Sequence, residues 1–341
     1  MSIIYASTFL GICLLILLVT GIFRKIWTKP SRFRNYCLNF SLSFFILVVL
    51  CFFIEVYFYA FVVHSDSFSF TLANQRWFAK YWHPINSLGY RDVEHSPTEF
   101  HDNKVIFVVG DSFVAGQGIQ DYRDRFSDKL QAKLGTGWLV LNLAQVGWST
   151  TEEYHAIVSH PQKPNIIILS YFTDDIREAA NRSQVKEKFS FGELVTPPPF
   201  YLGFFVQHSY LLNFSYWEWY RYRNRQPEAI YWKKLRYFYE DSDAWRVHQA
   251  ELQAIVDYAQ KNAIVLIPII FPNLVSIELS MPITTRIANL FQSLGIEPID
   301  LTATFRQQTA SDLVVSRVDA HPNERVHAQV AGALLSRIIV K

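Results

Sequence analysis

The chain has 341 residues, half of them hydrophobic and 16% aromatic, with a formal net charge of only +2. The positive excess is local: Arg24, Lys25, Lys29, Arg32 and Arg34 lie together with no acid among them, and the remainder is slightly acidic. That pattern excludes the broad basic footprint of a nucleic-acid-binding protein, while the length suffices for one sizeable core plus membrane segments.

From the N-terminus, Ile3 to Phe23 carries no charge and Tyr36 to Val63 carries only Glu55. Each run reaches the roughly 20 residues that cross a bilayer, so residues 1–63 are expected to form an anchor of two transmembrane helices. The first run lacks the basic flank and small-residue cleavage site of a removable signal. By the positive-inside rule the basic loop, residues 24–35, is cytoplasmic. Everything after Val63 is then exterior, which for a bacterial inner membrane means the periplasmic side. Arg76 and Lys80 pull weakly the other way. Glu55, near the outer end of the second span, is read first as snorkelling to the interface and second as a polar contact between helices. Cys13, Cys37 and Cys51 all fall in or beside the spans, so the rest of the chain has no thiol for a disulfide or a zinc site.

Residues 64–103 read as a polar, aromatic connector, with a turn at Asn86–Asp92. From Lys104 to 341 the pattern alternates. Strands are expected at Val105–Val109, Trp138–Leu143, Ile166–Ser170 and Ile264–Ile270, with a weaker fifth at Glu297–Leu301. Helices are expected at Asp124–Leu134, Thr151–Ser159, Asp243–Asn262 and Thr284–Leu294, and a last helix from Pro322 to about Ile339. Continuous apolar strands alternating with helices predict an α/β domain whose parallel sheet is covered on both faces. Ligands on such sheets gather at the carboxyl ends of the strands, where Ser112, Gly147, Asp174 and Asn273 fall. The stretch 177–241 breaks the rhythm with Pro197-Pro198-Pro199 and a dense aromatic and basic run. It is expected to be a helical insertion over the ligand end of the sheet. One reading is an amphipathic cover packed inward; the other is a lid that stacks sugar rings or meets anionic lipid headgroups.

Gly110-Asp111-Ser112-Phe113 follows the first strand directly. A strand that ends in a small turn and then a serine can hold a hydroxyl at the lip of a sheet. The helix opening at Ser112 would aim main-chain N–H groups at a nascent oxyanion. Alone, the tetrapeptide reads first as a plain turn. Asp319-Ala320-His321-Pro322-Asn323 supplies what a serine nucleophile lacks, a base and a group to orient it. His327 competes for the role of base and is assigned a structural place on the terminal helix. Gly116-Gln117-Gly118 lacks the third glycine of a dinucleotide loop, and no Walker loop or metal-ligand spacing appears, so neither cofactor nor metal is expected.

Four blocks in order carry a resemblance: Gly110–Phe113, Asn142–Thr150, Tyr171–Asp175 and Asp319–Asn323. Over residues 104–340, less the insertion, the chain resembles the SGNH subgroup of the GDSL esterase/lipase family. The resemblance implies a three-layer, flavodoxin-like fold and serine hydrolysis of acyl esters. It implies Ser112 as nucleophile, His321 as base and Asp319 as its orienting partner, with oxyanion donors from Ser112, Gly147 and position 174. Two departures stand out. Asp319-x-His321 is shorter than the usual Asp-x-x-His, a form that occurs in membrane-linked relatives with His-Pro-Asn. Asp174 replaces the family's asparagine, and an ionised carboxylate cannot donate to an oxyanion, so either Asp174 is protonated, or Thr173 donates instead, or the hole uses main-chain donors only. The expected function is a membrane-anchored esterase acting on O-acyl, chiefly O-acetyl, esters of a cell-envelope or secreted glycan. The alternatives are acyl transfer or lysophospholipid cleavage on the same fold, or a non-catalytic scaffold of an envelope-polysaccharide system. The expected partners are an acylated glycan or lipid and the membrane, with no nucleic acid.

Overall fold

The computed structural model describes residues 3–26, 31–184, 195, 197–224, 226–240 and 242–339. The chain forms two compact units. One comprises Met1–His64, Thr71–Arg76 and Pro197–Arg223; the other comprises Ser65–Phe70, Trp77–Thr196 and Asn224–Lys341.

In the first unit, helices Ile3–Ile26 and Arg32–Phe61 have 24 and 30 residues. At 1.5 Å per residue these reach about 36 and 45 Å, more than the hydrocarbon core of about 30 Å. Both are long and apolar enough to cross a membrane, and almost none of either is buried. Leu14, Leu18, Phe40 and Leu47 point outward, while Phe9 and Phe52 stack between the pair at 3.8 Å. Lys29 of the basic cluster lies outside the described residues.

Of the two readings of Glu55, the structure fits the second, a polar contact between helices. The residue is 7% exposed, and its carboxylate accepts from the Ser209 hydroxyl at 2.9 Å and from the N–H groups of Tyr210 and Leu211 at 2.6 and 3.0 Å. Those are unpaired donors at the start of helix Tyr210–Arg223. A carboxylate satisfies them and complements the helix dipole.

The second unit is built on a sheet of β1 (Lys104–Gly110), β2 (Trp138–Ala144), β3 (Ile166–Tyr171), β4 (Val265–Ile270) and β5 (Ile299–Asp300), in the order β2-β1-β3-β4-β5. All the pairings are parallel. This is the flavodoxin-like order, with strands apolar on both faces because helices cover both. Ile106 and Val108 share a core with Phe126, Leu130, Val326 and Val330, from helices Phe126–Leu134 and Glu324–Ile339. Phe107 and Val109 alternate to the opposite face, on the side of helices Thr150–Ser159 and Ser242–Lys261. Gly110 pairs with Ala144, and Val109 with Leu169, so the carboxyl ends of β1, β2 and β3 end level.

The structure differs from expectation in several places. The terminal helix starts at Glu324 rather than Pro322, because Asn323 Oδ1 caps it, accepting from the N–H groups of Arg325 and Val326. Asp319–Pro322 is a strand, β7, paired antiparallel with β6 (Val314–Ser316). Helix Ile277–Ser293 begins upstream of Thr284 and absorbs Pro282 in its interior. The stretch 177–241 is parted: helices Phe200–His208 and Tyr210–Arg223 belong to the first unit and helix Gln226–Glu240 to the second. In the last, Trp232, Leu235, Phe238 and Tyr239 are buried, as in an inward-packed cover. Residues 185–194 of this stretch lie outside the described residues.

Candidate active site

Ser112 opens a short helix, Ser112–Ala115, directly after β1. Asp111 caps it, accepting from the Phe113 N–H at 2.9 Å. The turn demands glycine at its base: a Cβ on Gly110 would stand 2.4 Å from a Val114 methyl. Gly118, at φ +89°, closes the loop where a Cβ would meet Val315 at 2.4 Å and Asp319 Oδ2 at 3.0 Å.

Asp319 and His321 are two apart on β7, so both side chains leave the same face of the strand. His321 Nδ1 lies 2.5 Å from Asp319 Oδ1, and His321 Nε2 lies 2.9 Å from Ser112 Oγ. The structure thus brings the three predicted residues into one hydrogen-bonded line across 209 positions of sequence. Ser67 pins the strand, donating its N–H to Val318 O at 3.1 Å and accepting from Ala320 N–H at 2.8 Å. Burial opposes the charged form of His321, but the Asp319 carboxylate outweighs it and holds the ring above the ordinary histidine value. Burial likewise opposes the Asp319 carboxylate, yet the facing imidazole keeps it below its ordinary range.

Gly147 follows β2 with φ +82°, and Asp174 follows β3, the two strands that flank β1, whose end leads into Ser112. Asp174 is buried, and its Oδ2 lies 3.5 Å from Arg177 Nη1. Its pKa is raised by burial, with Arg177 working against the rise. Asp111 is pushed up to about 6 by burial and then by Asp174. Asp175 Oδ2 accepts from the Phe172 N–H at 2.7 Å, while Oδ1 has no partner among the described residues. The carboxylates of Asp111, Asp174 and Asp175 come within 4.8 Å of one another. The sequence expects no metal, and its spacing does not disclose this grouping. Glu153 adds a fourth acid. It is buried, neither oxygen has a partner among the described residues, and burial, then Asp111, lift it well above the ordinary carboxyl value.

Sequence reasoning missed Glu153, Arg177 and Arg91. Glu153 had a signal, since it shares the buried stripe of Thr150, Ala156 and Ile157 on its helix. Arg91 was read only as part of a turn. It is buried and donates to the main-chain oxygens of Gly116 (2.7 Å), Ile119 (2.8 Å) and Tyr81 (2.8 Å), and so gathers the loop that carries Ser112. Asn142 Nδ2 holds the same loop through Val114 O at 2.7 Å. Thr173 faces Tyr231, its hydroxyl 3.3 Å from the phenol. Asn273 shapes the turn after β4, its Oδ1 accepting from the N–H groups of Val275 and Ser276 and its own N–H donating to Ser280 Oγ. His327 Nδ1 accepts from the Phe126 N–H at 3.1 Å, and burial lowers its pKa to about 3. That ring is a neutral cap on helix Phe126–Leu134.

Ser112 is 8% exposed. A cavity of about 660 Å³ lies elsewhere, lined by Glu228, Trp232, Lys233, Arg236, Tyr237 and Leu279, and includes none of the three aligned residues.

Neither a family model nor a curated protein matches the sequence. Among solved structures, the chain is similar to a phospholipase A1 from Streptomyces albidoflavus NA297 (11% identity, TM-score 0.45, covering 70% of this chain and 99% of that one). It is also similar to a member of the lipolytic protein G-D-S-L family from Veillonella parvula DSM 2008 (16%, 0.39, 68% and 98%). A third is a carbohydrate acetylesterase family member from Sinorhizobium meliloti (11%, 0.38, 69% and 97%). At these scores the likeness adds no weight to the strand order and the local geometry.

Proposed function

We propose that the chain is a membrane-anchored serine esterase of the SGNH type, acting on O-acyl esters, chiefly O-acetyl, of an envelope or secreted glycan outside the bacterial inner membrane. The observation that carries the reading is the line Ser112–His321–Asp319 at the carboxyl end of β1. Ser112 Oγ attacks the ester carbon as His321 Nε2 takes its proton. The imidazolium, steadied by Asp319, then gives that proton to the leaving alcohol. Water attacks the acyl-serine through the same histidine, releasing the acid and restoring the hydroxyl. N–H groups of Ser112 and Gly147, with a protonated Asp174, are the proposed oxyanion donors. The glycan assignment rests on the two candidate spans, on the basic loop between them, and on the aromatic residues of 197–240.

Ser112→Ala should abolish both fluorophosphonate labelling and acetate release from an acetylated glycan. Undiminished turnover in that variant removes the proposed nucleophile, and absence of labelling in the unaltered chain favours the scaffold reading. The burial of Ser112 favours acyl transfer as a second reading, since an acyl-serine shielded from water can await another alcohol. Acylated sugar rather than free acid among the products would identify it.

A further inference from the structure

We propose that helix Phe200–His208 lies in the outer headgroup-to-acyl boundary of the bilayer, as a third membrane contact beside the two spans. The proposal rests on the reading that helices Ile3–Ile26 and Arg32–Phe61 cross a membrane. Its occupant is lipid, and four observations on the first unit select it.

The sequence is free of charge over a long stretch: no Asp, Glu, Lys or Arg occurs from Pro197 to Trp217. The apolar side chains of the helix are nonetheless outside. Phe200 is 101% exposed, Tyr201 73%, Phe204 65% and Phe205 55%, and Val206 is the buried residue of the element. A contiguous patch of that kind in water marks an interaction surface. The helix has nine residues, about 14 Å, too short for the hydrocarbon core of about 30 Å, so it lies in the interface rather than spanning it.

Its position follows from the tether. Helix Phe200–His208 leads through Ser209 into helix Tyr210–Arg223, whose first turn is held by Glu55 of the second candidate span. Tyr59 packs on Tyr210 at 5.2 Å and Phe58 on Phe214 at 4.9 Å, and Asn213 Oδ1 accepts from Leu72 N–H at 3.0 Å. From Arg34, in the basic loop, to Glu55 is about 31 Å along a helix, one hydrocarbon thickness. Groups tied to Glu55 therefore sit at the opposite headgroup boundary, where phenylalanine and tyrosine are at home. The exposed apolar surface of helix Phe200–His208 is thus continuous in depth with that of the spans.

The test uses the full chain with Cys13, Cys37 and Cys51 changed to Ser, reconstituted in vesicles of phosphatidylcholine and phosphatidylglycerol. Nitroxides are placed one at a time by Tyr201→Cys, Phe204→Cys and Phe205→Cys. Reference labels are Leu14→Cys and Leu47→Cys on the spans and Lys261→Cys on the other unit. Relaxation by oxygen, which concentrates in lipid, is compared with relaxation by a water-soluble nickel chelate. The expected result is an oxygen-to-nickel ratio at 201, 204 and 205 several-fold above that at 261 and approaching that at 14 and 47. A ratio at the three helix positions equal to that at 261, with 14 and 47 still oxygen-rich, overturns the proposal and leaves the spans standing. Nickel access at 14 and 47 as well overturns the membrane reading and the proposal with it.

Discussion

Arg177 reaches from the loop after β3 to the loop after β2, donating from Nη2 to the carbonyl oxygen of Gly147 at 2.5 Å. The same guanidinium faces Asp174 at 3.5 Å. One cation therefore braces the main chain beside Ser112 and touches a cluster of four buried acids, Asp111, Glu153, Asp174 and Asp175. Burial raises the pKa of each of the four acids.

The first prediction concerns Asp174. A protonated carboxyl can donate to an oxyanion and an ionised one cannot. Burial raises the Asp174 pKa, so the donor form persists to higher pH than usual and is lost as pH rises further. Turnover of the unaltered chain should fall on the alkaline side. Asp174→Asn should abolish that fall and raise kcat at alkaline pH by roughly tenfold or more, within the roughly 10²–10³ that one oxyanion donor is worth. A variant less active across the whole pH range refutes this.

Asp319 sets the acid side of the profile. The base form of His321 must be present for attack, and its pKa is raised above the model-compound value of 6.5. Because a raised histidine pKa keeps the proton to higher pH, kcat/KM should increase with pH through a midpoint above 6.5. Asp319→Asn should move that midpoint down and lower kcat on the order of 10³–10⁴. A midpoint unmoved by the substitution rules out the pairing as its cause.

Arg91 is a matter of stability first. Arg91→Met takes a donor from three carbonyl oxygens; Gly116 O keeps the Ile119 N–H and Tyr81 O keeps the His83 N–H, so Ile119 O is the one left orphaned. At about 1–3 kcal/mol for an orphaned group, a loss of that order is expected. Thermal unfolding should show a clearly lower Tm, and labelling of Ser112 should fall in step. Arg91→Lys should recover only part, because an ammonium cannot reproduce the planar fork. Full recovery by lysine would mean that charge, not geometry, matters here.

Glu153 should reveal itself through pH. Its folded pKa is raised, so the folded state holds a proton that the unfolded state releases above the ordinary value of 4.5. Stability from this group is therefore full below 4.5 and declines as pH rises toward the folded value. Glu153→Gln should flatten that decline, with a Tm above that of the unaltered chain at pH 8 and nearly equal at pH 4. Each kcal/mol gained corresponds to roughly 2–4 °C for a domain of this size. Parallel Tm curves for the two chains would count against a buried neutral acid.

The sheet was legible because its strands are unbroken apolar runs with turn residues after them, and Ser112 because it follows the first of these. Asp319 and His321 were legible as residue types two apart, but not as a strand, since four residues ending in proline carry no periodicity of their own. The contact of Glu55 was legible only as the second of two readings, because a lone acid in an apolar run does not name donors 154 positions away. The acidic cluster was hidden for the same reason: Asp111, Glu153 and Asp174 meet only once β1, β3 and the helix after β2 are assembled. Position within a buried helical stripe was the one local sign that Glu153 had gone inside.

The small clasp made by Ser65–Phe70 has a practical consequence for dissecting the molecule. Asp66 O accepts from Gln117 Nε2 at 2.8 Å, and Ser67 ties down β7 on both sides of Asp319. A soluble fragment cut at Lys104, where the first strand begins, would discard this clasp together with the guanidinium that gathers the serine loop. Truncation should instead start at Ser65, because the segment that looks like a mere connector is sewn into the same end of the sheet as Ser112.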